Sequence, residues 1–123
     1  MLFRSQTYSA SVTVTVVNRT KLENLLQAKW AGMKAKIAAT DINGALGYIA
    51  NKPQTRYREF LTALGAQLPL MNDYLRDIEL VYMTDGYAKC RLYRNKTIMG
   101  QVYNIEYVVY FVQEQGIWKL YQF

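Results

Sequence analysis

Tyr107-Val-Val-Tyr-Phe-Val-Gln-Glu-Gln-Gly-Ile-Trp-Lys-Leu-Tyr-Gln-Phe123 is the stretch on which the reading of this sequence turns. Two runs rich in aromatic and β-branched residues flank Gln115-Gly116, the pattern of strand, tight turn and strand. The same grammar extends upstream. Ile78–Met83 and Tyr87–Ile98 read as strands that precede Val102–Gln113 and Ile117–Phe123, with turns at Asp85-Gly86 and Met99-Gly100-Gln101. Consecutive strands joined by short turns can only pair antiparallel, so the second half of the chain reads as a four-stranded meander.

Before Asp77 the period is helical. Thr20, with Glu23 three residues on, has the spacing of a capping box. Leu22, Leu25, Leu26, Trp30, Met33 and Ile37 then fall on one stripe. Thr40-Asp41 restarts a short helix, Asp41 reading as its cap, and Leu46 and Ile49 are its apolar residues. Pro53 opens a third helix with Tyr57, Phe60, Leu61 and Leu64 at i, i+3, i+4 and i+7, and Gly65 as its stop. Pro69 starts a last short turn through Tyr74 and Leu75. Helices first and a meander second make an α+β chain, with N-terminal helices covering one face of a curved antiparallel sheet.

Ahead of the helices, Thr7-Tyr-Ser-Ala-Ser-Val-Thr-Val-Thr-Val-Val17 alternates strictly from Ala10 to Val16 and reads as an extra N-terminal strand. Met1-Leu-Phe-Arg-Ser5 has one basic residue and no apolar core, so it does not read as a signal peptide.

Composition narrows the chemistry. The 123 residues, 51% of them hydrophobic and 20% charged, suit one packed domain rather than a disordered chain. No apolar run reaches the roughly 18 residues of a membrane-spanning helix. There is no histidine and one cysteine, which removes Ser-His-Asp and Cys-His catalysis, histidine zinc or haem ligation, and any internal disulfide. Neither a metal nor a cofactor is expected. The net charge is +6, and residues 1–40 hold most of the surplus, with Arg4, Arg19, Lys21, Lys29, Lys34 and Lys36 against Glu23. Nucleic-acid surfaces set such charges more densely among aromatics. The first helix has only Trp30, on its apolar side, so nucleic acid is not the expected partner.

The order of these elements resembles the nuclear transport factor 2-like superfamily, a cystatin-like α+β cone. The residues that carry the resemblance are Lys29-Trp-Ala-Gly-Met33, Ala39-Thr-Asp-Ile-Asn-Gly-Ala-Leu46 and, above all, Tyr107 to Phe123, which holds the Gly-x-Trp-Lys-aliphatic strand Gly116–Leu120. Thr40-Asp41 departs from the Gly-Asp pair with which members often open their second helix. The leading Tyr-to-Val-Thr-Val-Thr-Val run resembles the last strand of bacterial PKD/immunoglobulin-like domains. Together these imply residues 1–18 as the remnant of such a neighbour and 19–123 as the superfamily domain. The implied setting is the C-terminal end of a larger bacterial protein, secreted, periplasmic or on the cell surface.

The superfamily includes isomerases and dehydratases as well as non-enzymatic binding and dimerising domains, so the residues must choose. A pocket would lie between helices and sheet. The alternate positions that are cleanly apolar assign the inward face: Ile78, Leu80 and Tyr82; Ala88, Cys90 and Leu92; Tyr103, Ile105, Tyr107, Val109 and Phe111; Trp118 and Leu120. The candidate pocket is Lys29, Trp30, Met33, Tyr57, Phe60, Tyr82, Cys90, Tyr103, Tyr107 and Trp118. It offers tyrosine donors, no carboxylate base and one cation, Lys29, which either snorkels to water or meets an acidic ligand. Cys90 reads as a small buried hydrophobe. Tyr87, Lys89, Arg91 and Tyr93 alternate outward as an aromatic-basic strip suited to a protein contact, such as a homodimer through the sheet or a neighbouring domain. The expected function is therefore non-enzymatic binding or association, with a small apolar or acidic ligand. The alternative is a small-molecule isomerase using Tyr82, Tyr103 or Tyr107 as donors.

Overall fold

The computed structural model describes the backbone of residues 2–123 and the side chains of residues 19–123. The chain folds as α1 (Leu2–Ala38), α2 (Ile42–Leu46), α3 (Gln54–Leu64), a 3₁₀ segment (Gly65–Asp73), then β1 (Glu79–Thr84), β2 (Tyr87–Ile98), β3 (Gln101–Glu114) and β4 (Ile117–Gln122). The sheet is a single antiparallel meander in the order β1-β2-β3-β4. This is the α+β arrangement expected, with the helices packed on one face of the sheet.

Local chemistry explains the joints. Ile98 pairs with Gln101 and Glu114 with Ile117, which leaves two-residue loops. In them Met99 and Gly100 have φ of 51° and 82°, and Gln115 and Gly116 have 52° and 81°. Positive φ at both loop positions matches the right-handed twist of the flanking strands, and glycine is the residue that reaches it without strain. Asp41 caps α2 by accepting from the Gly44 amide at 2.9 Å. Gly65 stops α3 with φ of 52°.

The core lies between the layers. Leu26, Trp30, Met33 and Ile37 of α1, Leu46 and Ile49 around α2, and Tyr57 and Leu61 of α3 meet Leu80, Ala88, Cys90, Leu92, Val109, Phe111 and Leu120 of the sheet. Each fully buried leucine or isoleucine among them contributes about 1.5–3 kcal/mol. No charged or polar side chain is buried among the described residues.

Both outer strands of the sheet are held along part of their length, by different means. Along β1 a row of polar side chains on α1 reaches the strand's backbone and its approach. The Arg19 guanidinium donates to the Leu80 and Val81 carbonyls at 3.1 and 3.2 Å. Glu23 accepts from the Leu80 amide at 2.8 Å. Gln27 donates to the Ile78 carbonyl at 3.1 Å, and the Trp30 indole to the Arg76 carbonyl at 2.8 Å. Residues 19, 23 and 27 are one helical ridge, so a single docking angle serves them all. Along β4 the edge is closed by backbone. Ala50 donates to the Leu120 carbonyl at 2.6 Å and Leu120 donates to the Tyr48 carbonyl at 2.8 Å, a short parallel bridge.

Four expectations need correction. Residues 2–18, read as an extra strand, continue α1 in their backbone; their side chains lie outside the described residues. A strand without a partner would leave its N–H and C=O groups unpaired, whereas a helix pairs its own. Thr20 accordingly sits inside α1 and does not begin it, and Glu23 serves the strand edge and not a capping box. Leu25 is exposed. Tyr82 faces away from the helices, because a bulge at Val81 lies between Leu80 and Tyr82 and flips every later side chain of β1. Met83 takes the inward place and packs against the core.

The Glu23 contact is directly testable. Removal of the carboxylate leaves the part-buried Leu80 amide without an acceptor, which costs about 1–3 kcal/mol. In urea unfolding, Glu23→Ala lowers stability by that amount, and Glu23→Gln, which keeps an acceptor oxygen, recovers most of it. Equal stability of all three proteins would mean that the contact does not hold the edge.

Candidate functional site

Between the helix layer and the inward sheet face lies a cavity of about 400 Å³. α1, α3, the 3₁₀ segment, β2 and β3 contribute to its wall, with the residue that follows β4. Trp30 comes from α1, Tyr57 and Phe60 from α3, and Met71, Tyr74 and Leu75 from the 3₁₀ segment and its exit. Leu92 and Arg94 come from β2, Tyr107 and Val109 from β3, and Phe123 from the residue after β4.

Three rings build one wall. Tyr57 and Phe123 stack with centroids 4.5 Å apart and planes 2° from parallel, and Trp30 meets Phe123 edge-on at 5.6 Å. The Tyr57 hydroxyl accepts from the Phe123 amide at 2.9 Å and donates to the Phe123 carbonyl at 3.3 Å. The Trp30 indole N–H is spent on the Arg76 carbonyl. The polar atoms of these rings thus hold backbone, while their apolar faces are left to the cavity.

The opposite wall carries the one charged side chain of the lining among the described residues. Arg94 is on the same side of β2 as Ala88, Cys90 and Leu92, and its guanidinium lies 4.2 Å from the Tyr74 ring centroid and 5.3 Å from that of Tyr107. Next to it a more polar depression is lined by Asp73, Tyr74, Arg76, Tyr93, Arg94, Asn95 and Asn104. Among the described residues the cavity lining includes no carboxylate side chain.

Of the ten residues proposed for a pocket, the structure brings four together: Trp30, Tyr57, Phe60 and Tyr107. Met33 and Cys90 are packed in the core beside the cavity, 0% and 1% exposed. Lys29 is half-buried on α1 and is not in the lining. Tyr82 is on the far face of the sheet. Tyr103 is on the inward parity but lies in the exposed arm of the β2–β3 hairpin, its hydroxyl donating to Gln101 at 3.2 Å. Trp118 packs half-buried against the core outside this lining.

Arg94, Met71, Tyr74, Leu75 and Phe123 were not anticipated. Alternation along β2 already carried the signal for Arg94, two residues past Leu92. Phe123 was hidden by a bulge, since Leu120 pairs with Phe111 but Gln122 with Tyr110. Tyr121 is thus the extra residue that turns Phe123 inward.

The outward strip is where it was expected, and larger. Tyr87 stacks with Tyr110 at 5.5 Å and lies 6.1 Å from Tyr82. Lys89 sits over the Tyr82 ring at 5.9 Å and Arg91 over Tyr93 at 5.5 Å. Arg91 also pairs with Glu79 at 2.6 Å. Desolvation, with the Tyr82 and Tyr110 hydroxyls adding to it, pushes the Tyr87 phenol up to about 12.

Among the described residues no cluster of three or more acidic or thiol side chains could hold a metal ion, and no helix is long and apolar enough to cross a membrane. Comparison of the chain with protein-family models, curated proteins and solved structures finds no match.

Burial, with Glu23 nearby adding and Arg19 opposing, pushes the Cys90 thiol up to about 12 from an ordinary 9. At neutral pH it is therefore a protonated, inaccessible thiol. With Ellman's reagent, Cys90 reacts only as fast as the protein unfolds. Because the folded state keeps this proton above pH 9 while the unfolded state loses it, stability falls as pH rises from about 9 towards 12, and less steeply in Cys90→Ala. Rapid labelling of the native protein at pH 8 would contradict this placement.

Proposed function

We propose that this chain is a non-enzymatic binding domain of the nuclear transport factor 2-like kind, which holds a small hydrophobic molecule between its helices and sheet. The observation that carries this reading is the cavity itself. Its volume is within the range of small-molecule sites, and its walls are mostly rings and aliphatic chains. The helices-then-meander order supports the superfamily resemblance. An isomerase would need a positioned base, and among the described residues the lining supplies tyrosine and arginine side chains but no carboxylate side chain.

Self-association through the outer sheet face is a second reading, favoured by the Tyr82, Tyr87 and Tyr110 row beside Lys89 and Arg91. Aromatic and arginine side chains on the sheet face turned away from the described helix core are the composition of a protein contact.

The two readings have separate tests. A neutral apolar fluorophore, N-phenylnaphthylamine, binds the full chain at a single site with a blue shift, and Met71→Trp, which fills the cavity, abolishes the signal without lowering the melting temperature. No binding, or equal binding to Met71→Trp, would contradict the cavity reading. In sedimentation at micromolar concentration the full chain runs as a dimer and Tyr110→Lys as a monomer. A wild-type monomer would end the association reading.

A further inference from the structure

We propose, resting on the binding reading above, that the cavity selects small carboxylates with an apolar body, and that Arg94 is the residue that recognises their charge.

Arg94 stands where its ion-pairing capacity is unused. Among the described residues the ion pairs are Lys36 with Asp41, Arg91 with Glu79 and Lys119 with Glu114, and no side-chain hydrogen bond involves Arg94. Yet its guanidinium is not loose, because Tyr74 from the helix layer and Tyr107 from the sheet both lie against it. Both contacts are of the cation–π kind, which hold the cation near the rings without spending its N–H donors on oxygen acceptors. Held by Tyr74 and Tyr107, the guanidinium keeps a fork of donors that can serve a carboxylate.

Position supplies the second half of the argument. Arg94 lines both the apolar cavity and the adjoining polar depression, where Arg76, Asn95 and Asn104 stand near it and Asp73 is the one acid. A ligand with its apolar body against Trp30, Tyr57 and Phe123 would present its head at this boundary. An uncharged ligand would leave the fork with water alone. A cationic one would meet Arg94 and Arg76 together.

The test uses two matched pairs, phenylpropionate with phenylpropanamide and octanoate with octanamide, titrated into the full chain by calorimetry. Each acid binds about tenfold or more tightly than its amide, the ratio of a charge-assisted hydrogen bond to a neutral one. Arg94→Gln, with its melting temperature near the wild-type value, brings both ratios close to one, and Arg94→Lys leaves them intermediate, since a point charge replaces a fork. If acid and amide bind the wild type equally, or if Arg94→Gln keeps the preference, the assignment of Arg94 is overturned while the binding reading stands. If none of the four compounds binds, both are overturned.

Discussion

An antiparallel meander has two rows of unpaired backbone groups, and how this chain closes them governs where everything else can lie. At β1 the closure is made by side chains: Arg19, Glu23 and Gln27 present donor, acceptor and donor in the order in which the strand offers carbonyl, amide and carbonyl. At β4 it is made by main chain, residues 48–50 lying against Leu120. A buried amide left unpaired costs about 1–3 kcal/mol, more than a satisfied bond gains. The angle of α1 across the sheet is therefore set by polar matching at the edge as much as by the apolar stripe beneath it.

With α1 held along β1 and the α2–α3 loop held along β4, the helix layer bridges the sheet. It covers the half that carries Ala88, Cys90 and Phe111 and leaves the far end of the β2–β3 hairpin bare, Met99 being 99% exposed. The cavity occurs where this cover gives out. Tyr74 reaches from the helix layer to Arg94, and the stack of the two with Tyr107 marks the boundary between packed core and open arm.

Much of this was legible in the sequence. The strand limits and the turn positions follow from alternation and from glycines that tolerate positive φ, and the helix stops at Gly65 for the same reason. What could not be read was whatever depends on partners far along the chain. The Val-Thr alternation before Thr20 looks like a strand locally, but its backbone continues α1, where each turn pairs with the next and no partner strand is needed. Bulges at Val81 and Tyr121 invert side-chain parity within a strand without changing composition. They therefore misassigned Tyr82 and concealed Phe123. A helical projection offered Lys29 as a cation that either snorkels to water or meets a ligand, whereas strand alternation, the simpler period, pointed to Arg94. The aromatic members of the site that were found, Trp30, Tyr57, Phe60 and Tyr107, lie on elements with unbroken periodicity.

The central claim is that the molecule's binding surface is the cavity between its layers. The most direct measurement is an amide and indole chemical-shift map of the ¹⁵N-labelled chain during titration with phenylpropanamide. The account predicts shifts at the Trp30 indole, Met71, Leu92, Tyr107, Val109 and Phe123, with Tyr82, Tyr87 and Tyr110 unmoved. Shifts gathered on the outer face of the sheet, or spread without pattern over both faces, would contradict it.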